Sequence, residues 1–272
     1  KPEQIGQKAI AVNVSDIAAM GGKATFCLIS LITPSNLKDS YIESIYEGIK
    51  RTCKMYNIQI IGGNISKGKE LVIDIFMLGE VKPSELLRRS GAKPGDKLLV
   101  TGTLGDAAAG LELLRNKELK LTNFEKKQLL IRQCSPSPRI KESQIIAKSK
   151  QVTAMIDSSD GLSSDIQHIC DQSNVGVFIT EENLPLTNAT KKVAKQLNKK
   201  GTTFVLEGGE DYELLFTVPP HAVDTLIATI KQKTGTEITV IGEILSEEKG
   251  RWIQLKNGQR KKLLSRGWNH RA

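Results

Sequence analysis

The stretch Met155–Asp165 reads MIDSSDGLSSD. An apolar strand pattern ends at Ile156, two carboxylates three residues apart follow, and a helical pattern begins at about Leu162. Asp157 and Asp160, with Ser158 and Ser159 between them, thereby put hard oxygen donors at the carboxyl end of a strand. Magnesium prefers such ligands, and open α/β sheets bind their ligands at that end. A helix N-cap accounts for one of these carboxylates and leaves the other unexplained.

Working outward, the strand that delivers this loop spans Val152–Ile156 and the helix that leaves it spans Leu162–Gln172. Downstream come strand Gly176–Thr180, helix Asn188–Asn198, strand Tyr212–Val218, helix His221–Lys233, strand Glu237–Ile244 and a closing strand near Trp252–Leu255. Upstream lie strand Lys97–Thr101, a turn with Gly102 and Gly105, and helical patterns at Ala107–Arg115, Phe124–Cys134 and Ile140–Ser149. Strands alternating with helices of this length predict an α/β sandwich. The loop chemistry of Arg88–Asp96 (RRSGAKPGD) divides it from an earlier unit. That unit reads as a helix ending at Gly21-Gly22, buried strand Ala24–Ile32, helix Leu37–Met55, short strand Ile58–Ile61 and strand Leu71–Val81. The expected architecture is therefore a two-domain α/β (α+β) fold, with residues 1–90 and 91–272 as the domains.

Composition narrows the function. Of 272 residues, 39% are apolar and 25% charged, which excludes a disordered chain. No apolar run approaches the roughly 18 residues of a membrane span, and no leader opens the sequence, so the cytoplasm is the expected location. The four cysteines, Cys27, Cys53, Cys134 and Cys170, form no CxxC and no cluster with histidine, against a zinc site or disulfide framework. Cys27 and Cys170 are expected to be buried thiols. Lys and Arg exceed Asp and Glu by 39 to 30, a net +9 that suits nucleic acid or a small polyanion such as a nucleotide. At 4% aromatics, with no basic–aromatic interleaving, a stacking platform for single strands is not indicated.

Three further loops concentrate Gly with polar donors. In Val14–Gly22 (VSDIAAMGG), Asp16 interrupts an apolar helical pattern, where a carboxylate either faces solvent or needs a cation. Ile60–Gly68 (IIGGNISKG) runs a strand into two glycines and a polar tip. Glycines admit an anion close to backbone N–H groups, a plain turn reads the same way, and the Walker order is absent. In Glu207–Leu215 (EGGEDYELL), a double glycine precedes three acids within four residues, although a turn entering a strand would look similar. His168 reads as a helix-face residue, and His221 and His270 have no visible partner. Ser158 and Ser159 lack a GxSxG context, which disfavours a serine hydrolase.

Taken together, these loops resemble the thiamine-monophosphate kinases, whose superfamily includes aminoimidazole ribonucleotide synthetase, selenophosphate synthetase and a hydrogenase-maturation protein. The matching blocks run in order: KAIAVNVSDIAAMGG (Lys8–Gly22), IIGGN (Ile60–Asn64), RRSGAKPGDKLLVTGTLGDAAAGLELL (Arg88–Leu114), SPSPRI (Ser135–Ile140), MIDSSDGLSSDIQHI (Met155–Ile169), GGEDYELLFTVP (Gly208–Pro219), IGEI (Ile241–Ile244) and Gly267-Trp268. The resemblance implies direct transfer of the γ-phosphate of ATP to thiamine monophosphate, without a phosphoenzyme, among Mg²⁺ ions held by aspartates. It implies metal ligands at Asp16, Asp157 and Asp160, nucleotide contacts at Gly63, Asn64, Arg89 and Ser159, and substrate contacts at Glu210 and Trp268. It also implies a fold like aminoimidazole ribonucleotide synthetase, whose amino-terminal domain pairs into a dimeric β-barrel.

Two departures qualify it. Family members open with strands carrying a GDD-type loop, an S-T-D stretch and a VEGVHF-like segment, whereas this sequence starts after them. An incomplete amino-terminal domain and metal cluster are therefore expected. Asn64 replaces the usual Asp, removing one negative charge and weakening the metal binding expected there. Another ATP-using member of the superfamily and a non-catalytic nucleotide-binding protein are the alternatives. A nucleic-acid binder is more distant.

Overall fold

A computed structural model describes residues 1–268; His270 lies outside the described residues. The first unit comprises α1 (Pro2–Ala19), β1 (Lys23–Thr33), α2 (Asp39–Tyr56), β2 (Gln59–Lys67) and β3 (Val72–Glu80). Its sheet has the order β2-β1-β3, with β1 parallel to β2 and antiparallel to β3. Alternation along β1 turns Cys27, Ile29 and Leu31 inward and Phe26 and Leu28 outward. Ile10, Val14, Ile45 and Ile49 from the two helices close the inner face. The helices approach closely because Gly6 faces the Ile45 and Ile49 backbone and Gly48 faces the Glu3 backbone. A Cβ on Gly6 would stand 2.0 Å from the Ile45 carbonyl oxygen.

The sequence reading made β1 wholly buried, but its outer face is open. Phe26, Leu28, Ile61, Ile65, Val72, Phe76 and Leu78 all remain exposed there. The short strand expected at Ile58–Ile61 also differs. β2 continues through Gly62 and Gly63 to Lys67, so IIGGNISK is strand rather than a loop. Both glycines hold φ values (+150° and +155°) that disfavour side chains. A Cβ on Gly63 would meet the Ile29 carbonyl oxygen at 1.9 Å.

The second unit carries β4 (Lys97–Thr101), α3 (Asp106–Arg115), α4 (Asn123–Cys134), α5 (Ile140–Ser149), β5 (Ala154–Asp157), α6 (Leu162–Ser173), β6 (Val175–Thr180), α7 (Asn188–Gln196), α8 (Gly201–Glu207), β7 (Leu214–Val218), α9 (Val223–Thr234), β8 (Ile238–Ser246), β9 (Arg251–Gln254) and β10 (Arg260–Lys262). Its sheet has the order β10-β9-β6-β8-β4-β7-β5. Among the described residues only the β6–β9 pair of this sheet is parallel. The helix–strand alternation was legible, but the expectation of a ligand site by the parallel-sheet rule loses its basis, because β5 is an antiparallel edge strand. One core joins Leu98, Val100, Ile156 and Leu215 to Leu162 and Ile166 of α6. The opposite face joins Leu99, Met155 and Phe216 to Ile146 of α5 and Leu226 of α9.

α1 serves both units. Ser143 of α5 donates to the Ala18 carbonyl, and Leu87 N–H donates to the Met20 carbonyl at 3.2 Å. Cys27, Cys53 and Cys170 are buried free thiols, with the Sγ atoms of Cys27 and Cys53 4.0 Å apart. Among the described residues no helix is long and apolar enough to cross a membrane.

Candidate active site

One face of α1 lies against β5, and Lys8 and Ser15, seven residues apart along it, make the connections. Lys8 donates to the Gln133 carbonyl at 2.8 Å and pairs with Glu210 Oε1 at 2.8 Å. Ser15, buried, donates its Oγ proton to Asp157 Oδ2 at 2.6 Å. Asp16 follows on the open side of the helix.

β5 ends on Asp157, which is only 2% exposed, and the chain then turns through Ser158-Ser159-Asp160. The EGGED loop cradles this turn. Ser158 N–H donates to the Glu213 carbonyl (2.7 Å), Tyr212 N–H to the Ser158 carbonyl (2.8 Å) and Glu210 N–H to the Ser159 carbonyl (2.8 Å). Gly209 allows that approach, since a Cβ there would lie 2.2 Å from the Ser159 carbonyl oxygen. Glu210 and Tyr212 take left-handed φ values of +67° and +52°, so the expected strand start at Tyr212 moves to Leu214. Trp268 N–H donates to the Asp160 carbonyl at 3.0 Å, which pins the terminal Gly267-Trp268 onto the same turn and leaves Trp268 exposed.

Three of the four loops singled out in the sequence therefore converge: those of Asp16, of Asp157 to Asp160, and of Glu210. Gly63 and Asn64 lie in exposed β2. Glu210 is held between Lys8 and Gln133, whose Nε2 donates to Glu210 Oε2 at 2.7 Å.

Electrostatics mark the converged region. Burial, reinforced by the negative charge of Asp16, pushes the Asp157 carboxyl up to about 6, against the Ser15 hydrogen bond and the Arg89 guanidinium. Partial desolvation raises Asp16, with Asp160 adding to the shift and Arg89 opposing it. Tyr212 is raised by burial and then by the negative charges of Glu210, Asp157, Asp16 and Asp160. Burial also pushes Asp165 up to about 8, although Asp160 N–H and Ser158 Oγ both donate to it.

A cluster of acids that repel one another, built of hard oxygen donors with the Arg89 guanidinium acting on Asp16 and Asp157, has the chemistry to accept divalent cations together with an anionic ligand. Among the described residues no group of three or more His, Cys, Asp or Glu side chains stands close enough to hold a metal ion by itself, so phosphate oxygens would have to complete any cation's shell. Sequence reasoning missed Ser15, Lys8, Gln133, Tyr212 and Asp165. For Asp165 a signal existed, since it falls on the apolar stripe of Leu162, Ile166 and Ile169. His168 is exposed on α6, as its reading implied.

Residues 1–81 match the N-terminal domain, and residues 93–253 the C-terminal domain, of the AIR synthase related proteins. Over 269 residues the chain is 39% identical to the thiamine-monophosphate kinase of Aquifex aeolicus, covering 99% of this chain and 81% of that protein. The chain belongs to the thiamine-monophosphate kinase family. The kinase of Bacillus subtilis is 37% identical over 275 residues, 99% of this chain and 82% of that protein. A solved structure of AaThiL complexed with AMPPCP and TMP superposes with a TM-score of 0.84 at 38% identity, covering 99% of this chain and 81% of that chain. The thiamine-monophosphate kinase fold thus frames the acidic cluster of α1, β5 and the EGGED loop.

Proposed function

We propose that this protein transfers the γ-phosphoryl group of ATP to thiamine monophosphate, releasing ADP and thiamine diphosphate. The reading is supported by family membership, by the relative solved with AMPPCP and TMP, and above all by the mutual repulsion that links Asp16 with Asp157 and with Asp160, with the Arg89 guanidinium acting on Asp16 and Asp157. In this reading Asp16, Asp157 and Asp160 would hold Mg²⁺, which would supply charge neutralisation for the phosphates. Arg89 and Ser159 bind phosphate oxygens, Gly63 and Asn64 contact the nucleotide from β2, and Trp268 offers its indole to the thiamine rings. Glu210, fixed by Lys8 and Gln133, presents a carboxylate to the cationic thiazolium.

No general base is required. A phosphate monoester is largely dianionic near pH 7, because its second pKa is about 6. A phosphate oxygen of thiamine monophosphate attacks the γ-phosphorus, the bond from that phosphorus to the β–γ bridging oxygen breaks, and the electron pair leaves on ADP. The protein's residues orient two anions and cancel their repulsion, which is the main demand of phosphoryl transfer.

We further assign residues 1–90 to a dimerising amino-terminal domain and 91–272 to a carboxy-terminal domain, in a cytoplasmic homodimer. The exposed apolar face of β1, β2 and β3 supports pairing with a second copy. Incubation with ATP, Mg²⁺ and thiamine monophosphate tests the activity. One ADP per thiamine diphosphate is expected, whereas nucleotide-dependent thermal stabilisation without turnover would mark a binding protein instead.

A further inference from the structure

Asp165 lies in the first turn of α6 and is 1% exposed. None of the ion pairs among the described residues includes it. Burying a carboxylate without a cation is costly, and an apolar side chain would serve the core better. Both of its oxygens are nevertheless used, and both are directed at one loop. Oδ2 accepts the Ser158 hydroxyl at 3.0 Å and Oδ1 accepts the Asp160 N–H at 3.2 Å.

These bonds hold the 158–160 turn from inside, while the EGGED backbone holds it from outside. Tying the Asp160 N–H fixes the peptide plane ahead of Asp160, and with it the direction in which that side chain leaves. The two residues before Asp165 act on the neighbouring segment. Ser163 Oγ accepts Arg266 N–H at 3.1 Å, and Ser164 Oγ accepts Gly267 N–H at 3.0 Å. One helical turn thus ties down both the carboxylate loop and the segment that carries Trp268.

We propose that Asp165 is a positioning residue that sets Asp157 and Asp160 in the spacing needed to share divalent cations. The proposal rests on the magnesium-dependent reading above. Asp165 acts through Ser158 and the Asp160 backbone without touching the reacting groups.

The test compares the wild-type protein with Asp165→Ala, Asp165→Asn and Ser158→Ala. Mn²⁺ affinity is read by electron paramagnetic resonance in the presence of a non-hydrolysable ATP analogue, and the Mg²⁺ dependence of turnover is followed in parallel. Asp165→Ala should weaken Mn²⁺ binding and raise half-saturating Mg²⁺ by about tenfold, as loss of groups that orient metal ligands commonly does. KM for thiamine monophosphate should stay within about twofold, because the substrate-facing Glu210 keeps its own supports. Ser158→Ala removes one of the two bonds and should shift both metal readouts by about threefold. Asp165→Asn, whose carbonyl oxygen can still accept the Asp160 N–H, should fall between Asp165→Ala and wild type.

A lowered Tm with unchanged metal affinity would assign Asp165 to the fold alone and overturn the proposal. Should Asp165→Ala fail to fold, wild-type affinity in both other variants overturns it equally. A wild-type protein that binds no Mn²⁺ would remove the magnesium reading itself. Wild-type binding with indifferent variants would remove only the role of Asp165.

Discussion

Arg139→Ala should destabilise the protein by about 3 kcal/mol. Glu213 is fully buried and takes four donated hydrogen bonds: Thr101 Oγ1 at 2.6 Å, Arg132 Nη2 at 2.8 Å, and Arg139 Nε and Nη2 at 2.6 Å each. Removing one partner of a buried pair costs about 3–5 kcal/mol, since it strands a charge away from water. The lower end applies because Arg132 remains. At roughly 2–4 °C per kcal/mol for a chain of this size, Tm should fall by roughly 6–12 °C. Urea denaturation followed by circular dichroism, with a thermal scan, measures both quantities. Arg139→Lys should recover less than half of the loss, because one ammonium cannot reproduce a two-pronged guanidinium contact. The same change should impair activity, since the Glu213 carbonyl holds Ser158 N–H and so supports the acidic turn. A loss below about 1 kcal/mol would refute the reasoning, because it would leave the remaining donors sufficient for a buried carboxylate.

Asp160→Asn should abolish turnover and leave Tm within about 1 °C, because it removes a cation-facing charge and no packing; retained activity would move the metal site elsewhere. Asn64→Asp should lower the Mg²⁺ needed for half-maximal turnover, and an unchanged requirement would exclude position 64 from metal binding. Phe76→Glu, on the exposed face of the first sheet, should convert a dimer to a monomer in light scattering without loss of secondary structure. Burial pushes Asp211 from 3.8 up to about 7, so the folded state binds this proton more tightly than the unfolded chain does. Its contribution to stability should therefore decline as pH rises from about 4 to 7 and level off above that range. Asp211→Asn should remove that slope in urea melts at several pH values, while the carboxylate's bonds to Gly105 and Ala107 N–H are weakened at every pH.

Much of the fold was legible because periodicity reports burial. Ile140–Ser149 and Lys97–Thr101 emerge with their sequence boundaries intact. α8 and β10 were not foreseen, the first a seven-residue helix rich in β-branched residues, the second a three-residue strand of basic side chains. Neither is long enough to express a period. Strand direction was not legible either, since alternation along a strand is the same in parallel and antiparallel sheets. The glycines of β2 misled for a physical reason: IIGG reads as a turn, yet the close passage of Ile29 demands a missing Cβ inside a strand.

The candidate site divides along the same line. Asp16, Asp157, Asp160 and Glu210 were visible as charges set against apolar or glycine-rich surroundings. Ser15, Lys8 and Gln133 were not, because their significance comes from partners more than 70 residues away in the chain. Asp165 was partly visible, as a carboxylate on an apolar helical stripe, but what it holds is a backbone N–H that sequence cannot display.

The most direct measurement is a crystal structure of the protein with Mg²⁺, a non-hydrolysable ATP analogue and thiamine monophosphate. The account predicts Mg²⁺ at about 2.1 Å from carboxylate oxygens of Asp16, Asp157 and Asp160, with Arg89 on the phosphates and Trp268 against the thiamine rings. Triphosphate bound elsewhere, with those three carboxylates turned into bulk water, would contradict it.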